Sequence, residues 1–233
     1  MKTCIVVPTF NERENVQGLV ERVRSVGVPD LNLLFVDDNS PDGTQEAIRQ
    51  ISAREPWVKL MARESKKGIG SAYIDGFRYA TETLAPDVLV EMDADLQHPP
   101  SALPGLLAAI EGGADVAIAS RYMEGGGVVG WGRGRRLVSR GANAYARFIL
   151  GLPVMDCTSG FRAYRRATAA RIVGAKLPAK GFEFQVATLY LLRKEAKMVE
   201  VPYVFSRRRA GKSKLGVGDM ARFFIGVLRL SRE

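Results

Sequence analysis

Apolar segments of strand length alternate with helical segments along the first half of the chain, and this alternation limits the possible folds more than any other feature. The strand-like segments span residues 3–7, 31–36, 58–62, 88–92 and 116–120, and apolar residues recur at helical spacing after the first four. Strands that are largely apolar are typical of a parallel sheet covered on both faces. We therefore predict an α/β fold, with a mostly parallel sheet and helices on both faces.

Two carboxylates follow the fourth strand-like segment. Asp93 and Asp95 stand two residues apart, Gln97 follows at the same spacing, and Pro99 and Pro100 prevent a return to regular pairing. Carboxylates on one face repel each other unless a cation or a proton lies between them. Oxygen ligands select Mg²⁺ or Mn²⁺, and open parallel sheets bind ligands at the carboxyl ends of their strands. We therefore favour a divalent metal site over a solvated loop whose aspartates only cap helices.

Composition indicates a globular protein with an anionic partner. The 233 residues are 46% apolar, enough for one domain with a large core, and the net charge of +9 suggests nucleic acid, anionic lipid or a phosphorylated substrate. Cys4 and Cys157 are far apart, which favours a reduced, intracellular protein. We find no signal peptide and no apolar run of about 18 residues. We predict one domain over residues 1–233 that ends in an amphipathic helix over residues 218–233.

Polar residues also follow the first two strand-like segments. Asn11 and Glu14 have the spacing of a capping box, and Asp37 and Asp38 come directly after the second segment. The two aspartates could cap the next helix, but adjacent carboxylates at a strand end favour at least one ligand contact. Neither the glycine fingerprint of dinucleotide-binding folds nor a P-loop is present. A phosphate-bearing donor must then be held in another way, and the metal site after the fourth segment is the candidate.

Two basic segments follow. Residues 121–136 contain six glycines and four arginines with few apolar residues, a pattern typical of a long mobile loop that could cover an anion. Residues 207–214 contain five cations, which is usual for an exposed loop, although their glycine would let the backbone approach a phosphate closely. Arg162, Arg165 and Arg166 could be solvated surface charges, and we assign no function to Arg165 and Arg166.

Seven short motifs occur in a fixed order over nearly the whole chain, at residues 7–15, 36–43, 92–100, 120–122, 159–162, 181–185 and 211–215. Together they resemble the motifs of the dolichol-phosphate mannosyltransferases, which are inverting GT-A glycosyltransferases of family 2. Seven motifs in order are far more specific than any one of them. The resemblance implies a GT-A fold, a divalent metal, GDP-mannose as the nucleotide sugar donor, a polyisoprenyl phosphate as the acceptor, and direct displacement with inversion.

The resemblance also assigns roles to residues at matching positions. It assigns the metal to Asp93, Asp95 and Gln97; the donor nucleotide to Pro8, Glu12, Asp38 and Asp93; the acceptor phosphate to Arg121, Arg135 and Ser139; and catalysis to Asp95, Arg208 and Lys214. Arg208 and Lys214 resemble the pair that closes over the donor phosphates.

The implied chemistry makes sense for these residues. Displacing a nucleoside diphosphate from an anomeric carbon develops negative charge on the leaving oxygen, which a metal and nearby cations stabilise. An acceptor phosphate is already an anion at neutral pH, so no strong general base is needed. We therefore interpret His98, the single histidine, as a loop residue beside Pro99. Transfer to a sugar hydroxyl would instead require Asp95 or a neighbour to take a proton.

Three alternatives stay open on the sequence. The donor could be UDP-glucose, because no single side chain shows which base is read, or the acceptor could be a soluble molecule or a protein. The chain could also be a basic module without catalysis that binds nucleic acid or an anionic membrane. Nucleic acid is disfavoured because the arginine-rich segments lack interleaved aromatic residues and the aspartate pair would repel a phosphate backbone unless a metal were bound.

The last helical segment has one apolar face. Met220, Phe223, Phe224, Val227 and Leu228 share it, and arginines lie nearby in the sequence. Packing on the domain core and contact with a membrane explain this face about equally well, and the lipid acceptor favours the membrane. We expect a peripheral protein on the cytoplasmic face of a membrane, docked by this helix and its basic surface or through a membrane-anchoring partner protein.

Overall fold

A seven-stranded sheet forms the centre of the computed structural model, which describes residues 1–177, 183–206 and 217–232. The strands of the described residues are β1 (Thr3–Thr9), β2 (Leu31–Asp37), β3 (Val58–Ala62), β4 (Val88–Glu91), β5 (Val116–Ser120), β6 (Gly127–Val128), β7 (Arg162–Arg165), β8 (Met198–Pro202) and β9 (Val204–Phe205). The central order is β3-β2-β1-β4-β7-β5-β8, and β6 pairs with β9 in a separate ribbon. Among the strands of the described residues, β7 alone is antiparallel to its neighbours in the central sheet.

Helices cover both faces of this sheet, as the alternation of segments predicted. Within the described residues they are α1 (Arg13–Ser25), α2 (Thr44–Ser52), α3 (Ile69–Tyr79), α4 (Leu103–Glu111), α5 (Arg133–Leu150), α6 (Arg166–Gly174), α7 (Glu183–Leu192) and α8 (Val217–Leu230). A π-helical turn, Ala80–Leu84, extends α3. The prediction of an α/β fold with a mostly parallel sheet is confirmed.

Strand β1 shows how the sheet separates two cores. Cys4 and Val6 point into the core that contains α3 and α5 to α8, whereas Ile5 and Val7 point into the core that contains α1 and α4. All four are fully buried, because the side chains of a strand alternate between the two faces of its sheet. A Cβ on Gly76 of α3 would lie 2.5 Å from Cγ1 of Val6, so glycine allows α3 to approach β1 closely.

The first helix begins differently from the predicted capping box. Asn11 has a φ of 59°, and the residue before α1 is Glu12, whose side chain makes no capping hydrogen bond. The carboxylate of Glu12 instead accepts a hydrogen bond from Nδ2 of Asn15 at 2.7 Å. The predicted cap is therefore wrong, because the left-handed backbone of Asn11 moves the start of the helix by one residue.

The segment 121–136 is not the long loop that its glycines suggested. Residues 127–128 form β6, which pairs with β9, and α5 already begins at Arg133, inside the predicted loop. Arginine is a good helix former, and a single glycine inside a helix costs only about 1 kcal/mol, so Gly134 does not end the helix. Two of the predicted acceptor residues, Arg135 and Ser139, therefore lie on a regular helix.

Helix α8 contributes to the core and also leaves apolar residues at the surface. Phe223 and Val227 are buried in the core shared with α5, whereas Phe224, Ile225 and Leu228 are exposed. Packing on the core therefore accounts for Phe223 and Val227, and contact with a membrane stays a prediction for the exposed residues. No helix in the described ranges combines the length and the apolar character needed to cross a bilayer.

Candidate active site

The carboxyl ends of β2, β1 and β4 lie side by side at one edge of the sheet, because these parallel strands are neighbours. Strand β2 ends at Asp37 and is followed by Asp38, and the turn after β4 carries Asp93 and Asp95. Pro8 lies near the end of β1 between them. The fold thus brings both carboxylate pairs to the carboxyl ends of the strands, where open α/β sheets bind ligands.

A buried histidine fixes the turn after β4. Nδ1 of His98 accepts a hydrogen bond from the backbone N–H of Asp93 at 3.1 Å, and Oδ1 of Asp95 accepts one from the backbone N–H of Gln97 at 3.0 Å. The His98 ring is 2% exposed and stacks on Phe161, with ring centroids 5.2 Å apart. His98 is therefore more than a loop residue, since it holds the backbone that presents Asp93.

The two aspartates of this turn differ in exposure. The side chain of Asp93 is 36% exposed and accepts a hydrogen bond from the hydroxyl of Tyr73 at 3.3 Å, whereas Asp95 is 4% exposed. Within the described ranges no three His, Cys, Asp or Glu side chains form a metal-binding group, so the candidate donor set is two carboxylates with the amide of Gln97. Hard oxygen donors of this kind fit Mg²⁺ or Mn²⁺.

Gln97 connects this turn to the segment after β9. Its Nε2 donates to the carbonyl oxygen of Ser206 at 3.1 Å, and the backbone N–H of Ser206 donates to the carbonyl oxygen of Gln97 at 3.1 Å. The amide oxygen of the side chain is the atom that suits a metal ion. The two predicted catalytic residues that follow Ser206 in the chain, Arg208 and Lys214, lie outside the described residues.

The two carboxylates after β2 have different surroundings. Asp37 is fully buried and accepts hydrogen bonds from the hydroxyl of Thr9 at 2.8 Å, from the backbone and hydroxyl of Ser40 at 2.9 and 2.6 Å, and from Gln45 at 2.9 Å. Asp37 therefore organises the turn after β2. None of these hydrogen bonds involves Asp38, the residue of the pair that is predicted to bind the nucleotide.

Arg63, which follows β3, holds Asp38. Its Nη1 lies 2.5 Å from Oδ1 of Asp38, its Nη2 donates to Ser71 at 2.5 Å, and its Nε lies 3.2 Å from Oδ2 of Asp75. Burial raises the pKa of the Asp38 carboxyl, and the charge of Arg63 opposes that rise. Sequence reasoning missed Arg63 because no predicted motif contains it, and only the packing of β2, β3 and α3 brings it to Asp38.

Glu12 lies at the start of α1 on the same side of the sheet. Its backbone N–H donates to the hydroxyl of Thr44 at 3.1 Å, which ties the start of α1 to the start of α2. Pro8 and Glu12 are both partly exposed. Of the predicted nucleotide residues, Pro8 therefore lies near the end of β1, and Glu12 and Asp38 lie just beyond the ends of β1 and β2. The fourth, Asp93, lies beyond the end of β4.

Arg121 is held by a fully buried carboxylate. Its Nε and Nη2 donate to the two oxygens of Asp156 at 2.7 and 2.6 Å, and Nη2 also donates to the hydroxyl of Thr158 at 2.8 Å. Nη1 of Arg121 donates no hydrogen bond within the part of the chain that the structure describes. Sequence reasoning missed Asp156 as a partner, because a separation of 35 residues gives no periodic signal.

The three predicted acceptor residues lie in one connected set of contacts. The guanidinium carbons of Arg121 and Arg135 lie 5.6 and 4.3 Å from the centroid of the Trp131 ring. Nδ2 of Asn143 donates both to the carbonyl oxygen of Ser139 at 2.8 Å and to the hydroxyl of Thr158 at 3.1 Å. The structure thus gathers two arginines and a serine that are up to 18 residues apart in the sequence.

An aromatic residue links these contacts to the carboxylate turn. The ring of Phe205 lies 5.5 Å from that of Trp131 and 5.8 Å from that of His98, centroid to centroid. The pairing of β6 with β9 places Phe205 there. The carboxylates and the basic residues therefore belong to one continuous region.

Comparison with known proteins identifies the family. Residues 4–172 match the model for glycosyl transferase family 2. The chain belongs to glycosyltransferase family 2. The matched residues include both carboxylate pairs and the three predicted acceptor residues, so the resemblance seen in the motifs is confirmed.

Several family 2 relatives are similar over most of the chain. The polyprenol monophosphomannose synthase of Mycolicibacterium smegmatis is 42% identical over 92% of this chain and 81% of its own length. The undecaprenyl-phosphate mannosyltransferase of Micrococcus luteus is 40% identical over 98% of this chain and 93% of its own length. The dolichol-phosphate mannosyltransferase of Pyrococcus furiosus is 40% identical over the whole chain, which spans 64% of the relative.

Solved structures agree on the fold. A crystal structure of a mycobacterial protein has a TM-score of 0.73 at 18% identity, over 97% of this chain and 73% of that one. Glucosyl-3-phosphoglycerate synthase from Mycobacterium tuberculosis, in complex with Mn²⁺, uridine-diphosphate and phosphoglyceric acid, has a TM-score of 0.70 at 22% identity, over 99% and 78%. The family 2 chain therefore has the predicted GT-A fold.

The family 2 chain also buries a carboxyl group and a guanidinium group on neighbouring strands beneath the carboxylate turn. Glu91 of β4 and Arg162 of β7 are directly opposite each other in register, and both are fully buried. Arg162 donates to the carbonyl oxygens of Gln185 and Cys157 at 2.7 and 2.8 Å and to Thr188 at 2.9 Å. Burial raises the pKa of Glu91 to about 7, and the charge of Arg162 opposes that rise. The interpretation of Arg162 as a solvated charge is wrong.

Proposed function

We propose that this family 2 glycosyltransferase transfers mannose from GDP-mannose to a polyisoprenyl phosphate. The observation that carries the proposal is the gathering of Arg121 and Arg135 around Trp131, with Ser139 in the same set of contacts, one aromatic ring away from the carboxylate turn. Such a region offers one place for an anionic acceptor and an adjacent place for a metal-bound diphosphate. Three relatives at 40–42% identity, named for mannosyl transfer to such lipids, support the proposal.

The transfer step requires no proton exchange with the protein. An oxygen of the acceptor phosphate forms a bond to the anomeric carbon of mannose while the bond from that carbon to the β-phosphate oxygen of GDP breaks. The bonding electron pair leaves with GDP, and the anomeric configuration inverts. Because the acceptor is already an anion, His98 does not need to act as a base, in agreement with the use of its Nδ1 as an acceptor for the Asp93 N–H.

A divalent metal would be held by Asp93, Asp95 and the amide oxygen of Gln97. When bound, Mg²⁺ or Mn²⁺ would neutralise the negative charge that develops on the departing diphosphate. In this proposal His98 orients Asp93, and the backbone of Gln97 orients Asp95.

The donor nucleotide would lie beyond the ends of β1 and β2. Pro8, Glu12 and Asp38 flank this position, and Arg63 fixes the carboxylate of Asp38. A carboxylate that is fixed by an ion pair does not have to lose rotamer freedom when the nucleotide binds. Arg63 therefore supports donor binding in this proposal without contacting the donor.

A transfer assay with separate donors tests the proposal directly. The protein is incubated with a polyprenyl phosphate, with Mg²⁺ or Mn²⁺, and with GDP-mannose or UDP-glucose in turn, and the labelled product is extracted into organic solvent. We expect a lipid product from GDP-mannose and loss of product after chelation of the metal. Product from UDP-glucose alone would overturn the donor, and a product that stays in the aqueous phase with an added soluble acceptor would overturn the lipid acceptor.

We further propose that the enzyme works at a membrane surface, to which α5 and α8 present apolar side chains. The two helices pack against each other through Tyr145 and Phe224, whose ring centroids are 4.9 Å apart. We define the α5–α8 apolar surface as Leu137, Val138, Phe148, Phe224, Ile225 and Leu228, all of which are exposed. Phe148 is 88% exposed, an unusual state for a phenylalanine unless it contacts another surface.

Replacing Phe148, Ile225 and Leu228 together by serine is expected to weaken binding to anionic liposomes at least tenfold. Complete burial of one such side chain is worth about 1.5–3 kcal/mol, and partial insertion of three gives at least that factor. Sedimentation with liposomes measures the effect, and added salt should weaken binding of the parent because it screens the nearby arginines.

Phe223→Ser is the matched control for this experiment. Phe223 is 4% exposed and packs in the core, so its replacement should lower the melting temperature with little effect on the liposome affinity of the folded fraction. If the triple variant binds liposomes as well as the parent, the membrane contact lies elsewhere.

A further inference from the structure

Tyr122 forms a short side-chain hydrogen bond in the acceptor region. Its hydroxyl donates to Oγ of Ser139 at 2.6 Å, from the loop after β5 to the second turn of α5. A phenol is the more acidic of the two hydroxyls and is therefore the donor of this bond. Since Oγ of Ser139 accepts, its own hydrogen must point in another direction. Within the described residues the Ser139 hydroxyl donates to no other group.

A serine inside a helix usually directs this hydrogen back to the carbonyl oxygen four residues earlier. In α5 that position is Arg135, the other predicted acceptor residue of this helix, which lies on the same face as Ser139. The bond from Tyr122 holds Oγ of Ser139 on the side of the loop after β5. The hydrogen of Ser139 is then available to an anion bound between α5 and Arg121.

The same contacts fix the backbone of Ser139. Nδ2 of Asn143 donates to the Ser139 carbonyl oxygen at 2.8 Å and to Thr158 at 3.1 Å, and Thr158 in turn accepts from Arg121 at 2.8 Å. The adjacent residues Arg121 and Tyr122 thus hold the two ends of one chain of hydrogen bonds. A displacement of Tyr122 changes the position of Ser139 relative to Arg121.

We infer that Tyr122 is a positioning residue for the acceptor phosphate, which it serves by directing the hydroxyl hydrogen of Ser139 towards a phosphate oxygen. The inference rests on the proposed function, since it takes Ser139 as a ligand of that phosphate. It gives Tyr122 no contact with the substrate. The role depends on a single phenolic oxygen, so the ring alone does not supply it.

Tyr122→Phe removes this oxygen and keeps the ring. We expect the KM for polyprenyl phosphate to rise about five- to tenfold, which corresponds to the loss of one ordinary hydrogen bond, because the Ser139 hydroxyl is misdirected rather than removed. The KM for GDP-mannose should stay within twofold. In a Ser139→Ala background the same change should have no further effect, because the only group through which Tyr122 acts is gone. Tyr145→Phe is the matched control, since its hydroxyl lies on α5 and bonds the Phe224 carbonyl oxygen at 3.3 Å instead.

A binding assay without turnover separates this inference from the proposed function. In a Trp57→Phe background Trp131 is the remaining tryptophan, and its fluorescence should report farnesyl phosphate because the Arg135 guanidinium lies 4.3 Å from its ring. Tyr122→Phe should weaken farnesyl phosphate binding five- to tenfold, whether or not the parent transfers mannose. Unchanged farnesyl phosphate affinity, or additive effects of Tyr122→Phe and Ser139→Ala, would overturn the inference. Absence of mannosyl transfer by the parent would overturn only the proposed function.

Discussion

Asp95→Asn is expected to lower kcat about 10³-fold while leaving the melting temperature nearly unchanged. Asparagine keeps an oxygen that can accept the backbone N–H of Gln97, which lies 3.0 Å from Oδ1, so the turn after β4 is retained. What is lost is one negative charge of the pair that would hold the metal. The expected loss of transition-state stabilisation is roughly 4 kcal/mol, the size of a metal-dependent effect on developing charge. Initial rates over a series of Mn²⁺ concentrations measure it.

The control variant is Asp115→Asn, at the amino end of β5. Asp115 precedes β5, accepts a hydrogen bond from the backbone N–H of Lys197 at 2.8 Å, and lies far from the candidate metal site in the fold. We expect it to keep parental kcat at every Mn²⁺ concentration. Titration calorimetry with Mn²⁺ and GDP gives a readout without turnover, in which Asp95→Asn should bind the metal more weakly. If Asp95→Asn keeps most of its turnover across the metal series, the metal role belongs to other residues.

The parallel part of the fold could be predicted because each of its strands carries its own signal. β1, β2, β4 and β5 are largely apolar, and each of the first three is followed by residues at helical spacing. β7 carries no such signal, since its sequence contains two arginines in four residues. Its place between β4 and β5 depends on pairing with strands that lie more than 40 residues away, and local periodicity contains no information about that pairing.

The residues of the candidate site also fall into two groups, those that the sequence could predict and those that it could not. Asp93, Asp95 and Asp38 could be predicted because they directly follow apolar strands, so the chain itself brings them to one edge of the sheet. Arg63 and Asp156 could not be predicted, because each is defined by a partner that only the folded chain provides. A motif therefore predicted the residues proposed to bind substrate better than it predicted the residues that hold them in place.

Arg162 is the clearest example of a residue whose surroundings could not be predicted, because the same sequence pattern is compatible with a solvated and with a buried arginine. Three arginines in five residues suggest a solvent-exposed segment. In the sheet Arg162 nevertheless faces Glu91 and is fully buried, while Arg165 is partly exposed. Arg162 is buried because α7 covers its side chain and accepts its hydrogen bonds through Gln185 and Thr188. Arg165 ends the strand and donates to the carbonyl oxygens of Ala114 and Ile110.

Arg162→Met is expected to lower the free energy of unfolding by roughly 3–5 kcal/mol, and the melting temperature by about 10 °C. Methionine fills a similar volume, so a cavity is not the main cost. The cost arises because Glu91, whose pKa burial raises to about 7, loses the cation that favours its charged form. In addition, the carbonyl oxygens of Gln185 and Cys157 lose a charged donor. Urea denaturation followed by circular dichroism measures the change. Arg171→Met, in which the arginine of a surface ion pair with Glu195 is removed, should cost less than about 1 kcal/mol.

The double variant Arg162→Met/Glu91→Gln separates the two causes. Glutamine at position 91 is neutral, so the uncompensated charge disappears while the carbonyl oxygens stay without their donor. If the buried charge dominates, the double variant should recover more than half of the stability that Arg162→Met loses, because a neutral pair of similar volume avoids the desolvation of a lone ion. If the double variant is no more stable than Arg162→Met, the hydrogen bonds of the guanidinium to α7 and to the Cys157 carbonyl oxygen are the larger contribution. A loss for Arg162→Met no greater than that for Arg171→Met would contradict both explanations, since a fully buried arginine with three hydrogen bonds cannot be worth as little as an exposed pair.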